Sequence, residues 1–220
     1  MTHARVQLNS VVPLVGAFLL GLASAACAPR LRPLAGAPVP VRLPTAELPH
    51  GHRRMVFTWE LRDPDFHVRG EGVARLASPD SARLDFFVGG GLGGGRAVLI
   101  GQSVRTPGGD LVRRLIPPAP LLWAALGRLA LPPARDTAVR VDNGVLRADV
   151  GAPPAWRVTF RGDTLVRLDR VAGDRLPEWV ERSSPDHVRY RHETARRELT
   201  LIVQRVVEET SPFDATIWRP

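Results

Sequence analysis

The stretch Arg83-Leu84-Asp85-Phe86-Phe87-Val88 alternates polar and apolar side chains, and it runs into the glycine-rich stretch 89–95 before a second apolar stretch over 96–101. A period of two is typical of a strand that buries one face and exposes the other. Glycine frees the backbone from side-chain sterics, so the stretch 89–95 is typical of a loop. The sequence therefore predicts two antiparallel strands joined by a glycine-rich loop.

The same alternation recurs along the chain, in 139–142, 156–160 and 199–204. Turn signals separate the alternating stretches, namely Ser78-Pro79-Asp80-Ser81, Asn143-Gly144, Gly162-Asp163 and Gly173-Asp174. Short strands at this spacing predict a mainly β (α+β) fold that is built on one curved antiparallel sheet.

One segment, 120–131, breaks the period of two and predicts a helix. Pro120 suits the first turn of a helix, and Pro132-Pro133 would end it. The segment leaves hardly any polar face, so the helix has to be covered, and the sheet is the obvious cover. A curved sheet under such a helix encloses either an apolar cavity or a solid core, of which the residues alone favour the solid core.

The first 27 residues have the parts of an export signal: 1–10 are polar, 11–23 are apolar, and 24–27 read Ser-Ala-Ala-Cys, a small-residue cleavage site. The apolar run is shorter than the ~20 residues of a spanning helix. Cys27 is the only cysteine, and an odd thiol in an exported protein needs an explanation. We therefore predict a lipoprotein signal peptide over 1–26 and a diacylglycerol and an N-acyl chain on Cys27. The alternative is an ordinary signal peptide with a chance cysteine.

Prolines punctuate residues 28–50, which predicts a Pro-rich tether over 27–50 and a single domain over 51–220. The residue after Cys27 is Ala28 and not aspartate, which by the usual sorting of lipoproteins in double-membraned bacteria permits transfer to the outer membrane. We expect an exported protein that is lipid-anchored at the periplasmic face of the outer membrane.

All 30 basic residues are arginines, against 22 acidic residues, which gives a net charge of +8. Arginine binds phosphate through paired hydrogen bonds, so membrane lipid is an expected partner. The arginines are spread along the strands and do not form a cluster, so nucleic acid is not an expected partner.

The search for catalytic or metal-binding patterns is negative. The sequence contains no HExxH, CxxC or Gly-x-Ser-x-Gly motif. The histidines are scattered, and His187 and His192 flank Tyr190 on what reads as a polar strand or turn. We expect no enzymatic activity, no catalytic residue, no metal and no cofactor besides the lipids on Cys27.

Leu92 is the one residue other than glycine in the stretch 89–95. It either folds back into the core or forms a protruding apolar finger. Burying such a leucine in lipid would contribute roughly 1.5–3 kcal/mol, which suits a transient contact with a membrane or an acyl chain.

Four stretches, in this order over about residues 55–207, resemble the LolB-like outer-membrane lipoproteins of the lipoprotein-localisation (LolA/LolB) superfamily. They are the strand–loop–strand of 83–86, 91–93 and 97–99; the apolar helix 121–127 with its exit at Pro132; Trp156-Arg157-Val158-Thr159-Phe160; and Leu176-Pro177 with 199–203. Six glycines stand where the family usually has a Pro-Leu-Gly loop.

The resemblance implies a curved antiparallel half-barrel sheet with one or more apolar helices plugging its concave face, a cavity that binds acyl chains, and Leu92 as the membrane- or acyl-contacting finger. It implies a monomer whose partners are acylated lipoproteins or a periplasmic carrier protein. A structural or protein-interaction lipoprotein with the same sheet and no cavity remains the alternative. The candidate cavity lining is Phe57, Trp59, Leu84, Phe86, Val98, Leu122, Trp123, Leu126, Trp156 and Phe160.

Overall fold

The structure of the protein, a computed structural model, describes residues 28–91, 93–107, 110–134 and 136–219. Two short helices, α1 (Asp110–Leu115) and α2 (Ala119–Ala125), lie between the sixth and seventh strands. The strands are β1 (Ala37–Pro38), β2 (His52–Asp63), β3 (Phe66–Ala77), β4 (Ser81–Val88), β5 (Gly94–Ile100), β6 (Ser103–Arg105), β7 (Thr137–Asp142), β8 (Val145–Val150), β9 (Trp156–Arg161), β10 (Thr164–Ala172), β11 (Arg175–Arg182), β12 (His187–His192) and β13 (Arg197–Glu209).

All thirteen strands of the described residues belong to one sheet, in the order β1-β7-β8-β9-β10-β11-β12-β13-β2-β3-β4-β5-β6. Every neighbouring pair is antiparallel. Among the described strands β1 and β6 have one partner each, so the sheet is open and does not close into a barrel. The predicted fold class is confirmed, and each predicted turn joins two neighbouring strands through a connection of two or three residues, which favours a hairpin.

The predicted helix over 120–131 is real but shorter. α2 ends at Ala125, since Gly127 adopts a φ of +92°, and its N–H bonds to the Ala124 carbonyl. A glycine in the left-handed region is a common helix stop. α1, six residues long, was not predicted, because one and a half turns leave too short a period to recognise.

Two glycines of β3 shape the concave face of the sheet. Gly72 lies opposite Phe57 and Gly70 lies opposite Trp59 in the register of β2 and β3. A Cβ atom at Gly72 would collide with the Phe57 ring, and one at Gly70 would lie 2.9 Å from Cζ2 of Trp59. Each aromatic ring therefore lies over the backbone of a glycine, and the Trp59 indole N–H donates to the Glu71 carbonyl at 2.9 Å.

Residues 28–50, for which the sequence predicts a tether, lie against the sheet in three places. Pro29 and Leu31 bond to the start of β11, β1 pairs with β7, and Ala46 and Leu48 are buried in the core. The structure differs here from a free tether, because apolar residues between the prolines find partners on the domain. Proline content alone does not distinguish the two cases.

The C-terminal segment 210–219 folds back onto the outer face of the sheet. Its short 3-10 turn, Ala215–Trp218, lies on β4, where the Arg83 guanidinium donates to the Ile217 carbonyl at 3.1 Å. The Phe213 ring meets the rings of His52 and Trp218 edge to face. The alternating pattern of β4 and β5 predicts that their outer face is exposed to water. The C-terminal segment covers part of that face.

Candidate functional site

The concave face carries most of the residues that the sequence predicts as cavity lining. Eight of the ten lie in one buried cluster with α2, namely Phe57, Trp59, Leu84, Phe86, Leu122, Trp123, Leu126 and Phe160. Trp156 is partly buried and packs against the same cluster. The Phe86 ring meets Phe57 and Trp59 edge to face, with centroids 5.6 and 5.9 Å away. The alternation of the strands thus brings these side chains together.

Val98, the tenth, lies on the opposite face. Its neighbours Ala97 and Leu99 take the concave positions of β5, and Val98 pairs with Arg83 on the outer side. It is nevertheless only 1% exposed. Its concave-face neighbours are Ala97 and Leu99, so Val98 does not line the concave interior.

The described residues pack closely between α2 and the concave face of the sheet. The space left between α2 and the sheet measures about 10 Å³ and is bordered by Leu84, Phe86, Pro117, Leu122, Ala125, Val188, Tyr190, Leu199 and Leu201. A single water needs roughly 10–15 Å³, and a ligand pocket roughly 300–1,000 Å³. An acyl chain would therefore need α2 to move.

Tyr190 was missed as a core residue, since the flanking histidines made β12 look polar. Its alternation with Val188 was the available signal, and both are buried on the concave face. The Tyr190 hydroxyl lies 3.4 Å from the buried Glu178 carboxylate. Burial and that carboxylate raise the pKa of Tyr190, so the phenol stays neutral and donates.

α2 has no charged side chain, and its buried residues are Ala119, Leu121, Leu122, Trp123, Ala124 and Ala125. Two polar contacts secure its C-terminal half. The Trp123 indole N–H donates to the Gly101 carbonyl at 2.7 Å, and Arg182 Nη1 donates to the Ala125 carbonyl at 2.6 Å. Burial lowers the pKa of Arg182, and its positive charge suits the negative end of a helix.

α1 closes the interior at the end where β2 stops and β3 begins. Gly95 leaves room for Val112, because a Cβ atom at Gly95 would collide with that side chain. The buried carboxylate of Asp63 accepts from Arg197 Nε at 2.8 Å and lies 3.9 Å from Arg114. Burial opposes ionisation of Asp63, but these partners outweigh it and lower its pKa.

A groove lies on the outer face of the described sheet, across β13, β2, β3 and β4. It has a volume of about 640 Å³ and is lined by Thr58, Trp59, Glu60, Arg69, Gly70, Glu71, Phe87, Val88, Gly89, Gly90, Thr200 and Ile202. Phe87 is 52% exposed and Ile202 is 41% exposed. The groove is thus an open surface with mixed apolar and charged walls.

Two predicted site residues, Cys27 and Leu92, lie outside the described residues. Of the residues next to position 92, Gly89–Gly91 adopt a 3-10 conformation, and the Val88 N–H donates to the Gly93 carbonyl at 3.0 Å. Gly90 has a φ of +77° and Gly93 has a φ of +104°. These left-handed conformations explain why glycine stands at both positions.

Within the described ranges, no helix has the length and the apolar character that crossing a bilayer requires. The same ranges contain no group of three or more histidine, cysteine, aspartate or glutamate side chains placed to hold a metal ion.

The fold defined by these features is an open antiparallel sheet with apolar helical segments packed on its concave face. No family model matches the sequence, and neither does any curated protein. Among solved structures, the chain is similar to a DUF1329 family protein from Desulfovibrio piger, with 10% identity and a TM-score of 0.48 over 76% of this chain and 90% of that chain. It is also similar to a LolA superfamily protein from Nitrosomonas europaea, with 9% identity, a TM-score of 0.48 and the same coverage. Because these sequence identities and TM-scores are low, the fold is described from the order and pairing of its own strands.

Proposed function

We propose that this protein is an exported lipoprotein, anchored through Cys27, that binds acyl chains between α2 and the concave face of the sheet. Its role would be to accept lipoproteins, or insert them, at the periplasmic face of the outer membrane. The observation that carries the proposal is α2 itself, a seven-residue helix without a charged side chain that packs on a mostly apolar concave face.

The filled interior corresponds to the closed state in this proposal. Pro117 and Pro118 precede α2 and Gly127 follows it, so the chain on either side does not continue the helix. If α2 moved away, the side chains of Leu84, Phe86 and Phe160 would face water. An acyl chain is apolar and flexible, so it could cover that surface in place of α2.

The partners follow from the anchor. A protein held on the periplasmic face meets membrane lipid directly, and it meets acylated lipoproteins either in the membrane or on a periplasmic carrier protein. Membrane lipids and acylated lipoproteins present the same chemistry to the concave face, namely an acyl chain. We propose that the protein acts as a monomer.

Mass spectrometry of the full-length protein, purified from membranes in mild detergent, tests the proposal. The mass under denaturing conditions reports the lipids bound covalently to Cys27, and the native mass minus this value reports bound cargo. We expect both, and we expect Ile202→Ser, in the outer groove, to keep the cargo. A native mass equal to the denatured mass would exclude stoichiometric acyl binding.

The filled interior favours a second candidate, an anchored protein that binds other proteins and holds no lipid. The specific observation is the contrast between about 10 Å³ inside and about 640 Å³ in the outer groove. In that case Ile202→Ser would weaken capture of a crosslinked protein partner, and the two masses of the wild-type protein would agree.

Leu92→Glu is expected to abolish most lipoprotein transfer to vesicles while the urea midpoint stays close to wild type. Removing a leucine that contributes roughly 1.5–3 kcal/mol in lipid would weaken the membrane contact about 10- to 100-fold. Leu92→Met, which keeps an apolar side chain, serves as the matched control. If Leu92→Glu transferred lipoproteins at the wild-type rate, the apolar finger would have no role.

A further inference from the structure

The residues that follow the lipidation site are fixed to the domain. Leu31 N–H bonds to the Asp174 carbonyl at 2.7 Å, and Leu176 N–H bonds to the Pro29 carbonyl at 2.9 Å. Arg175 Nη1 donates to the Ala28 carbonyl at 3.0 Å, and Ala28 is 4% exposed. The chain is thus held against the sheet from the first residue after Cys27.

This contact is a short antiparallel pairing. Arg30 and Arg175 form an isolated β-bridge, flanked by the two backbone bonds. β11 pairs with β12 only from Glu178 onward, and its first residues lie beyond the end of β12. Residues 29–31 occupy this vacant edge, so the sheet itself supplies their binding site.

The position of this pairing in the sheet defines one end of the molecule. The turn between β10 and β11 lies at the same end as the turns between β12 and β13, β2 and β3, and β4 and β5, because neighbouring strands alternate in direction. We call this end the anchor rim. It comprises the turns 64–65, 89–91, 151–155, 173–174 and 193–196.

We propose that the anchor rim faces the bilayer that holds the lipids of Cys27, and that the pairing of residues 28–31 with β11 fixes this orientation. Ala28 is bonded directly to the lipid-bearing cysteine, and at about 3.5 Å of reach per residue this places the rim within about 10 Å of the headgroups. A free tether of residues 27–50 would reach about 70 Å at about 3 Å per residue and would impose no orientation.

Two consequences follow for the proposed function, on which this inference rests because it needs lipids on Cys27. The glycine-rich turn between β4 and β5 lies on the anchor rim and so faces the same membrane as the anchor. α1, whose Arg114 lies 3.9 Å from Asp63 and 3.8 Å from Asp65, closes the interior at this rim. In this orientation α1 therefore lies between the interior and the membrane.

Fluorescent labels at two matched turns test the orientation. Once lipidated, Cys27 has no free thiol, so Thr194→Cys and Asp163→Cys each introduce a unique site for labelling. Both residues are exposed in hairpin turns, Thr194 on the anchor rim and Asp163 at the opposite end. β10 has nine residues, which separates the two ends by about 30 Å at about 3.3 Å per residue.

The full-length lipidated variants, with the lipids verified by mass, are placed in phosphatidylethanolamine–phosphatidylglycerol vesicles that contain a lipid with a nitroxide on its headgroup. We expect the label at Thr194 to be quenched several-fold more than the label at Asp163. Arg175→Ala combined with Leu31→Pro removes two of the bonds that hold residues 28–31, and we expect it to abolish this difference while vesicle binding persists.

Equal quenching of the two labels in lipidated, vesicle-bound protein would overturn the fixed orientation and leave the proposed function intact. A difference that survives the double variant would overturn the role of residues 28–31. An unlipidated protein that does not bind vesicles would instead refute the anchor, and the orientation with it.

Discussion

Gly70→Ala is expected to lower the free energy of unfolding by about 3 kcal/mol, the upper part of the usual range for overpacking a core. The added Cβ atom would collide with the backbone carbonyl oxygen of Phe87 and would lie 2.9 Å from the Trp59 ring. A backbone atom cannot move aside as a side chain can. Either β3 and β4 shift apart or Trp59 leaves its place, and both disturb the centre of the sheet.

Urea unfolding, followed by far-UV circular dichroism, measures this loss. Gly89→Ala is the matched control, since its Cβ atom would lie 3.3 Å from the Arg69 carbonyl oxygen and its φ is not in the left-handed region. A Gly→Ala change at a compatible position alters stability by about 0.4–1 kcal/mol. If Gly70→Ala and Gly89→Ala had equal urea midpoints, Trp59 and the Phe87 carbonyl would not pack closely against Gly70 in the folded protein.

Gly70 illustrates what the sequence predicts and what it leaves out. Alternation places Phe57 and Trp59 on the buried face, because the period of two is a local property of the strand. The need for glycine opposite them arises only when β2 pairs with β3. That register is a relation between strands, and no pattern within either strand reports it.

The same distinction explains the other differences between prediction and structure. Hairpin turns such as Asn143-Gly144 were predictable since their residues adopt the required backbone angles by themselves. The burial of Val98 on the outer face was not, because alternation assigns that face to water and does not report what packs against it. The sheet contacts of residues 28–50 also escaped prediction, since proline-rich composition fits both a free tether and a docked segment.

For the candidate site, the sequence predicted the apolar residues and missed the polar contacts that hold them. The apolar character of α2 was evident from its residues. Its bond to Arg182 was not, since an arginine in a strand reads as an outward-facing residue until the register places it beside the helix. Local sequence patterns thus identified α2 and the concave face as the surfaces that pack together. The polar contacts that hold α2 in place depend on the tertiary structure.

Trp123→Ala is expected to cost about 3–5 kcal/mol of unfolding free energy, the usual range for a fully buried tryptophan. The indole is completely buried, donates to the Gly101 carbonyl at 2.7 Å, and has the Arg128 guanidinium 4.7 Å from its ring centre. Its removal leaves a cavity beneath α2. Urea unfolding measures the loss, with Trp218→Ala, on the outer face, as the control that also removes one tryptophan.

The cavity left by Trp123→Ala separates the two candidate functions. Apolar cavities of this kind stay dry and bind small apolar molecules, so indole at 100 times its dissociation constant should restore about 2.7 kcal/mol to the variant.

Palmitate is the ligand that distinguishes the two candidate functions. If α2 opens for acyl chains, palmitate stabilises both the wild-type protein and the variant, because the chain occupies the space under the displaced helix. If the core is solid, indole rescues the variant, palmitate stabilises neither protein, and the outer groove becomes the surface through which the protein acts.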